Sequence, residues 1–149
     1  MKWAVDIPGR PVSVDAMYRT GLMPVYRKGK PVMIPRNGKL VQKEIHRPVL
    51  TKEASKYRDD AQYVMQAAKP SRWAPTGQIR IRVTLELAAP IDADNCLKIL
   101  GDALQRATGI NDVNFLWCHE RVTFGVAPVD ERVRLIIDDD PTCCFGGQP

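Results

Sequence analysis

Between residues 78 and 88 apolar and polar side chains alternate strictly. Ile79, Ile81, Val83, Leu85 and Leu87 fall on one face and Arg80, Arg82, Thr84 and Glu86 on the other, which predicts a half-buried strand. The same period opens the chain at Trp3, Val5 and Ile7, before a turn at Pro8-Gly9. It returns at Val133, Leu135 and Ile137, which alternate with Arg132 and Arg134. A further strand is expected from about 114 to 126, with Phe115, Trp117, Val122 and Phe124. Two stretches switch to helical spacing. In the first, Thr51 is placed to cap a helix, Glu53 suits its first turn, and Ala54, Tyr57, Ala61, Met65 and Ala68 recur until Lys69-Pro70 stops it. The second runs from about 95 to 107, with Leu97, Leu100, Ala103, Leu104 and Ala107 on one side and Gly109 placed to end it. The order strand, helix, strand, helix, strand, strand predicts an α+β fold, a mixed sheet packed with two main helices. A chain of 149 residues is long enough for one such domain with a real core.

The segment from Met17 to Pro48 breaks this pattern. It is rich in Gly, Pro and cations, with Arg27, Lys28, Lys30, Arg36, Lys39, Lys43 and Arg47 against a single acid, Glu44. Short apolar runs, Val32-Met33-Ile34 and Leu40-Val41, flank Asn37-Gly38, a hairpin-turn dipeptide. A mobile basic arm or hairpin over residues 20–48 is expected. The last residues, 138–149, contain three aspartates and then Pro-Thr-Cys-Cys-Phe-Gly-Gly, and are expected to fray.

The net charge of +5 hides an uneven distribution. Residues 1–58 hold 13 Lys or Arg against 4 Asp or Glu, whereas residues 59–149 hold 9 against 13. A cationic surface beside an acidic cluster suits a protein that grips phosphates and works on them. No apolar run is long enough to span a bilayer, and Met1 to Asp6 lacks the apolar core of an export signal, so a cytoplasmic protein is expected. The four cysteines, Cys96, Cys118, Cys143 and Cys144, show no metal or disulfide spacing and read as reduced thiols. Cys118 and His119 are neighbours on a strand, so they point to opposite faces, and the pair reads as structural.

The chemistry concentrates in Ile91-Asp-Ala-Asp-Asn-Cys-Leu-Lys98 and Gly109-Ile-Asn-Asp112. Asp92 and Asp94 precede the second helix, and Asp112 follows it. If the flanking strands lie side by side, the three carboxylates are expected to converge at one end of the sheet. Bare carboxylates about 4 Å apart repel by up to ~4 kcal/mol at an effective dielectric near 20, so such a cluster implies a cation. An all-oxygen set selects Mg²⁺ or Mn²⁺ rather than zinc. Asn95 either supports a metal-bound water or caps the helix. Lys98, one turn in, can reach a phosphate oxygen or the attacking water, and Asp102 at i+4 can fix its ammonium by an ion pair. The plainer alternative is that the aspartates are caps and turns.

The stretch from Asp92 to about Arg121 resembles the signature of RusA-type Holliday-junction resolvases, in which a D-x-D-N-x-x-K-x-x-x-D-x-L helix is followed by a further aspartate. The opening strand and the run Val49-Leu-Thr-Lys-Glu-Ala-Ser-Lys-Tyr-Arg58 are similar more weakly. The resemblance implies a small homodimeric, Mg²⁺-dependent endonuclease that nicks four-way DNA junctions symmetrically. It assigns Asp92, Asp94 and Asp112 to the metal and Lys98 to catalysis. Arg27, Lys28, Lys30, Arg36, Lys39 and Lys43 would then contact DNA. The chain departs from the family at the first turn, Val12-Ser-Val-Asp-Ala-Met-Tyr-Arg19, and at Asn111-Asp112, where members often carry a pair of aspartates. Two other readings share these features: a non-catalytic branched-DNA-binding dimer, and a nuclease for flaps or forks.

Overall fold

The computed structural model describes residues 1–140. Strand β1 (Lys2–Pro8) leads through a one-turn helix, α1 (Val14–Met17), into a series of short strands: β2 (Tyr18–Pro24), β3 (Tyr26–Arg27), β4 (Lys30–Pro31), β5 (Met33–Arg36), β6 (Lys39–Gln42) and β7 (Glu44–Leu50). Helix α2 (Lys52–Ala68), strand β8 (Ile79–Leu87), helix α3 (Asp94–Thr108), strand β9 (Phe115–Phe124) and strand β10 (Arg132–Asp138) follow. The main sheet has the order β1-β10-β8-β9. β10 lies antiparallel between β1 and β8, whereas β9 runs parallel to β8 at the edge. The result is an α+β fold on a mixed sheet.

The alternation along the strands sorts the two faces of the sheet. Trp3, Val5 and Ile7, Ile79 to Leu87 at every second position, and Val133, Leu135 and Ile137 are buried in one core. Ala54, Ala61 and Met65 of α2 and Ile99, Leu100, Ala103 and Leu104 of α3 complete it. Burying each large apolar side chain of this set is worth about 1.5–3 kcal/mol. The opposite face stays charged: Arg82 pairs with Glu120 at 2.9 Å and Arg132 with Glu86 at 2.5 Å. Thr51 caps α2 by accepting the Ala54 N–H at 3.2 Å, and Gly109, at φ 77°, ends α3.

One helix position has room to spare. Gly101 is buried in α3, and a Cβ built there would sit 3.6 Å from Trp117 Cζ2, an ordinary contact distance. Gly101→Ala is therefore expected to stabilise the fold by about 0.5–1 kcal/mol through helix propensity alone. Thermal denaturation should show a rise of about 2–4 °C per kcal/mol for a chain of this size. A fall would mean that α3 and β9 tolerate no added atom between them.

The basic segment is built as a branched β-ribbon. β2 and β7 pair antiparallel from Tyr18↔Leu50 to Pro24↔Glu44. Beyond them the ribbon divides into two small hairpins, β3–β4 and β5–β6. At the division Val25 N–H donates to Lys43 O (2.8 Å), Lys43 N–H to Val32 O (2.7 Å) and Val32 N–H to Val25 O (2.8 Å). This ring of three bonds satisfies the backbone where the ladder splits. Each hairpin closes through a pair with positive φ, Lys28-Gly29 (50° and 74°) and Asn37-Gly38 (50° and 76°), as a two-residue turn of the primed kind requires.

Asp138, the first residue of the stretch 138–149 expected to fray, lies in β10. Asp138 pairs with Lys2, and the Asp139 N–H donates to Met1 O at 3.3 Å, because β1 supplies an edge on which β10 continues. Residues 141–149, with Cys143 and Cys144, lie outside the described residues. Cys96 and Cys118 are free thiols, and burial pushes the Cys96 thiol up to about 11. No helix among the described residues is long and apolar enough to cross a membrane.

Candidate active site

The approach to Asp92 is held from two sides. Glu131 accepts the Ala88 N–H at 2.8 Å and the Arg10 guanidinium at 3.0 Å. Arg10 in turn donates to Ala89 O (3.1 Å) and Pro90 O (3.3 Å). The Ala88 N–H, with Arg10 beside it, holds the Glu131 carboxyl below the usual range. Arg10 and Glu131 thus fix the loop that leaves β8 and delivers Asp92 to the start of α3. There the Asp94 N–H donates to Asp92 Oδ1 at 3.1 Å, and Asp92 O accepts the Asn95 N–H at 3.1 Å. The local turn gives Asp92 a capping role and keeps both carboxylates at the positive end of the helix dipole.

Asp94, Lys98 and Asp102 follow one another at i, i+4 and i+8 on α3, so they line one flank of the helix. Strand β9 runs beside that flank. Asp94 Oδ1 lies 2.8 Å from His119 Nε2. Lys98 Nζ donates to Asp102 Oδ1 at 2.7 Å. That bond raises the Lys98 pKa, with nearby Asp102, Tyr18 and Asp112 charges acting the same way. Lys98 is therefore held as a cation. A shallow cleft of about 200 Å³, lined by Leu97, Lys98, Gly101, Asp112, Phe115 and Trp117, joins Lys98 to Asp112.

The expected convergence of three carboxylates at one end of the sheet is not what the fold builds. Asp92 and Asp94 stand where α3 begins, and Asp112 stands past its C-terminus, at the start of β9. The reason is topological: β8 and β9 are parallel, so α3 must carry the chain back to the other end of the sheet before β9 can start. Among the described residues no three His, Cys, Asp or Glu side chains gather at metal-binding distance. The site is a row instead, with Asp92, Asp94 and His119 at one station and Lys98, Asp102 and Asp112 at the next. In donor chemistry the pair Asp92 and Asp94 fits a hard divalent cation, whereas Asp112, past the far end of α3, does not share its station. Asp92, Asp94 and Asp112 are exposed oxygen donors, and the Asp94 side chain is 81% exposed.

His119 corrects a further expectation. It and Cys118 do face opposite ways on the strand, but His119 lies at the site. Phe115, Trp117 and His119 form one alternating set, and Phe115 and Trp117 line the cleft against α3. Counting that alternation from Phe115 would have placed His119 toward the helix that carries Asp94.

The ribbon begins beside this row, since Tyr18, its first residue, is the phenol within electrostatic reach of Lys98. Arg27 faces Lys30 across one hairpin tip and Arg36 faces Lys39 across the other. Lys28 lies in the first turn and Lys43 at the branch, and all six cations are exposed. Like charges directly opposite each other destabilise a strand pair, and each tip holds one such pair.

The comparisons with known proteins leave the family open. No family model and no curated protein matches the chain. Among solved structures, a 2C-methyl-D-erythritol 2,4-cyclodiphosphate synthase from Plasmodium vivax is similar at a TM-score of 0.32 and 11% identity, over 91% of each chain. A likeness that slight carries no argument about fold or activity.

Proposed function

We propose that this protein is a Mg²⁺-dependent endodeoxyribonuclease acting on branched DNA, with four-way junctions nicked in pairs by a homodimer. The observation that carries this reading is one row: exposed carboxylates and a lysine paired with Asp102 lie along α3, and a branched cationic ribbon springs from beside them. The stretch that holds the row, Asp92 to about Arg121, is the part of the chain that most resembles the RusA-type resolvases.

Asp92 and Asp94, where α3 begins, would hold Mg²⁺, which when bound would supply a Lewis acid and an activated water, with Mn²⁺ as a substitute; Asp112, past the other end of α3, lies by Lys98 instead. Lys98 offsets negative charge on a phosphate oxygen, and Asp102 keeps its ammonium directed along the cleft. Arg10 and Glu131 keep the loop before Asp92 from drifting. Arg27, Lys28, Lys30, Arg36, Lys39 and Lys43 contact phosphates on the DNA arms, which adds affinity without reading sequence. In a two-fold dimer the symmetry of the protein would match that of a four-way junction.

The test is a labelled synthetic four-way junction incubated with the purified protein, with and without Mg²⁺, beside flap, fork and linear duplexes of equal length. Paired symmetric nicks on the junction that vanish with chelator are expected. Preference for flaps or forks would keep the nuclease and change its target. Junction binding with no Mg²⁺-dependent nick on any substrate would overturn the enzyme reading.

A further inference from the structure

We infer that His119 is a positioning residue that orients the Asp94 carboxylate toward its cation, an inference that rests on the metal site proposed above. An ionised carboxylate has no proton to give, so in the 2.8 Å contact Nε2–H must donate to Asp94 Oδ1. That bond occupies one carboxylate oxygen and leaves Oδ2 for a cation. It also selects the imidazole tautomer with its proton on Nε2.

A second feature of the fold points to the same residue. The ladder between β8 and β9 is regular up to Val83↔His119 and then resumes at Thr84↔Arg121, so Glu120 is an extra, unpaired residue. A bulge of this kind bends the strand and re-aims its neighbours, and such bulges cluster beside active sites. Here it falls immediately after His119. Glu120 is tied by its carboxylate to Arg82 on β8 at 2.9 Å, which fixes the bulge against the adjacent strand. The chain of contacts runs from Arg82 to Glu120, through the bulge to His119, and from His119 to Asp94. Asp94 stays 81% exposed on the first turn of the helix, and His119 is the side chain that meets it from the strand side. Groups that orient a metal-binding side chain typically change metal affinity about 10–100-fold when removed.

Two measurements test this, and neither reads cleavage. Imidazole ¹⁵N NMR in mildly alkaline buffer should show the His119 proton on Nε2 with the Nε2–H shifts of a hydrogen-bonded donor, and Asp94→Ala should return those shifts to the values of a free imidazole. A proton on Nδ1, or a signal indifferent to Asp94→Ala, would overturn the inference. Calorimetry with Mg²⁺ and with Mn²⁺ should show His119→Ala binding about 10–100-fold more weakly. His119→Gln, whose amide can still donate, should recover most of the loss. Equal affinity in the parental chain and His119→Ala would refute the positioning role, as would failure of His119→Gln where circular dichroism shows both variants folded. If the parental chain takes up neither metal, this inference falls together with the cation of the proposed function. If metal uptake and tautomer behave as expected while no DNA is nicked, the nuclease reading fails and this one stands.

Discussion

Asp94→Asn is expected to bind a four-way junction at least as tightly as the parental chain and to nick it roughly 10³-fold more slowly. A metal held by carboxylates contributes several kcal/mol of charge stabilisation to a phosphoryl reaction, and about 1.36 kcal/mol corresponds to a tenfold change in rate. The fold should not notice the change. The Asp94 side chain is 81% exposed, and surface substitutions of that kind usually stay within about 0.5 kcal/mol. An amide is nearly isosteric with the carboxylate, and its oxygen can still accept from His119. Binding should hold or improve because a negative charge facing phosphates is gone. Single-turnover nicking and a gel-shift titration, run on the same labelled junction, give the two numbers. Nicking that survives the substitution would remove Asp94 from the metal site. Equal binding without nicks in either protein would identify a non-catalytic branched-DNA binder, and the aspartates would revert to caps and turns.

What could be read from the sequence, and what could not, follows from the range of the interactions involved. β8 was legible because Ile79 to Leu87 alternate over nine residues, long enough for the period to stand out. α3 was legible because Leu100, Ala103, Leu104 and Ala107 share a face and Gly109 ends it. The pairing of β8 with β9 is a different matter. Nothing local in Phe115 to Phe124 says that the strand is parallel to β8, yet that direction separates Asp112 from Asp92 and Asp94. Of the ribbon, the sequence shows a basic arm or hairpin over residues 20–48 with its Asn37-Gly38 turn, and no sign of a branch. Its branch depends on backbone bonds among Val25, Val32 and Lys43, far apart in sequence and unremarkable as side chains. The position of His119 was half legible: alternation gives its face, but the bulge at Glu120 and the helix that meets it are tertiary facts.

Replacing Arg27, Lys28, Lys30, Arg36, Lys39 and Lys43 together by Gln is expected to remove most of the salt dependence of DNA binding. Each phosphate contact contributes about 0.9 to the slope of log affinity against log salt, so six of them account for roughly 5. A protein with that many contacts loses on the order of 10³ in affinity between 50 and 200 mM salt, whereas the variant's curve should be nearly flat. The six cations share no ion pair with an acidic partner among the described residues, so their charge is available to a ligand. The usual objection to a sixfold variant is that it simply unfolds, and here the geometry argues the other way. Arg27 opposes Lys30 and Arg36 opposes Lys39 directly across the two tips, and neutralising such pairs relieves repulsion instead of breaking a bond. The main core contains none of the six side chains. The melting temperature should therefore hold or rise while the salt slope collapses. An unchanged slope would show that the ribbon does not touch DNA and would move the binding surface to the charged face of the main sheet, where Arg82, Arg121, Arg132 and Arg134 stand. A flat slope with an intact fold would place the phosphates on the ribbon, where the opposed cations of its two tips and the charges of Lys28 and Lys43 would be neutralised together.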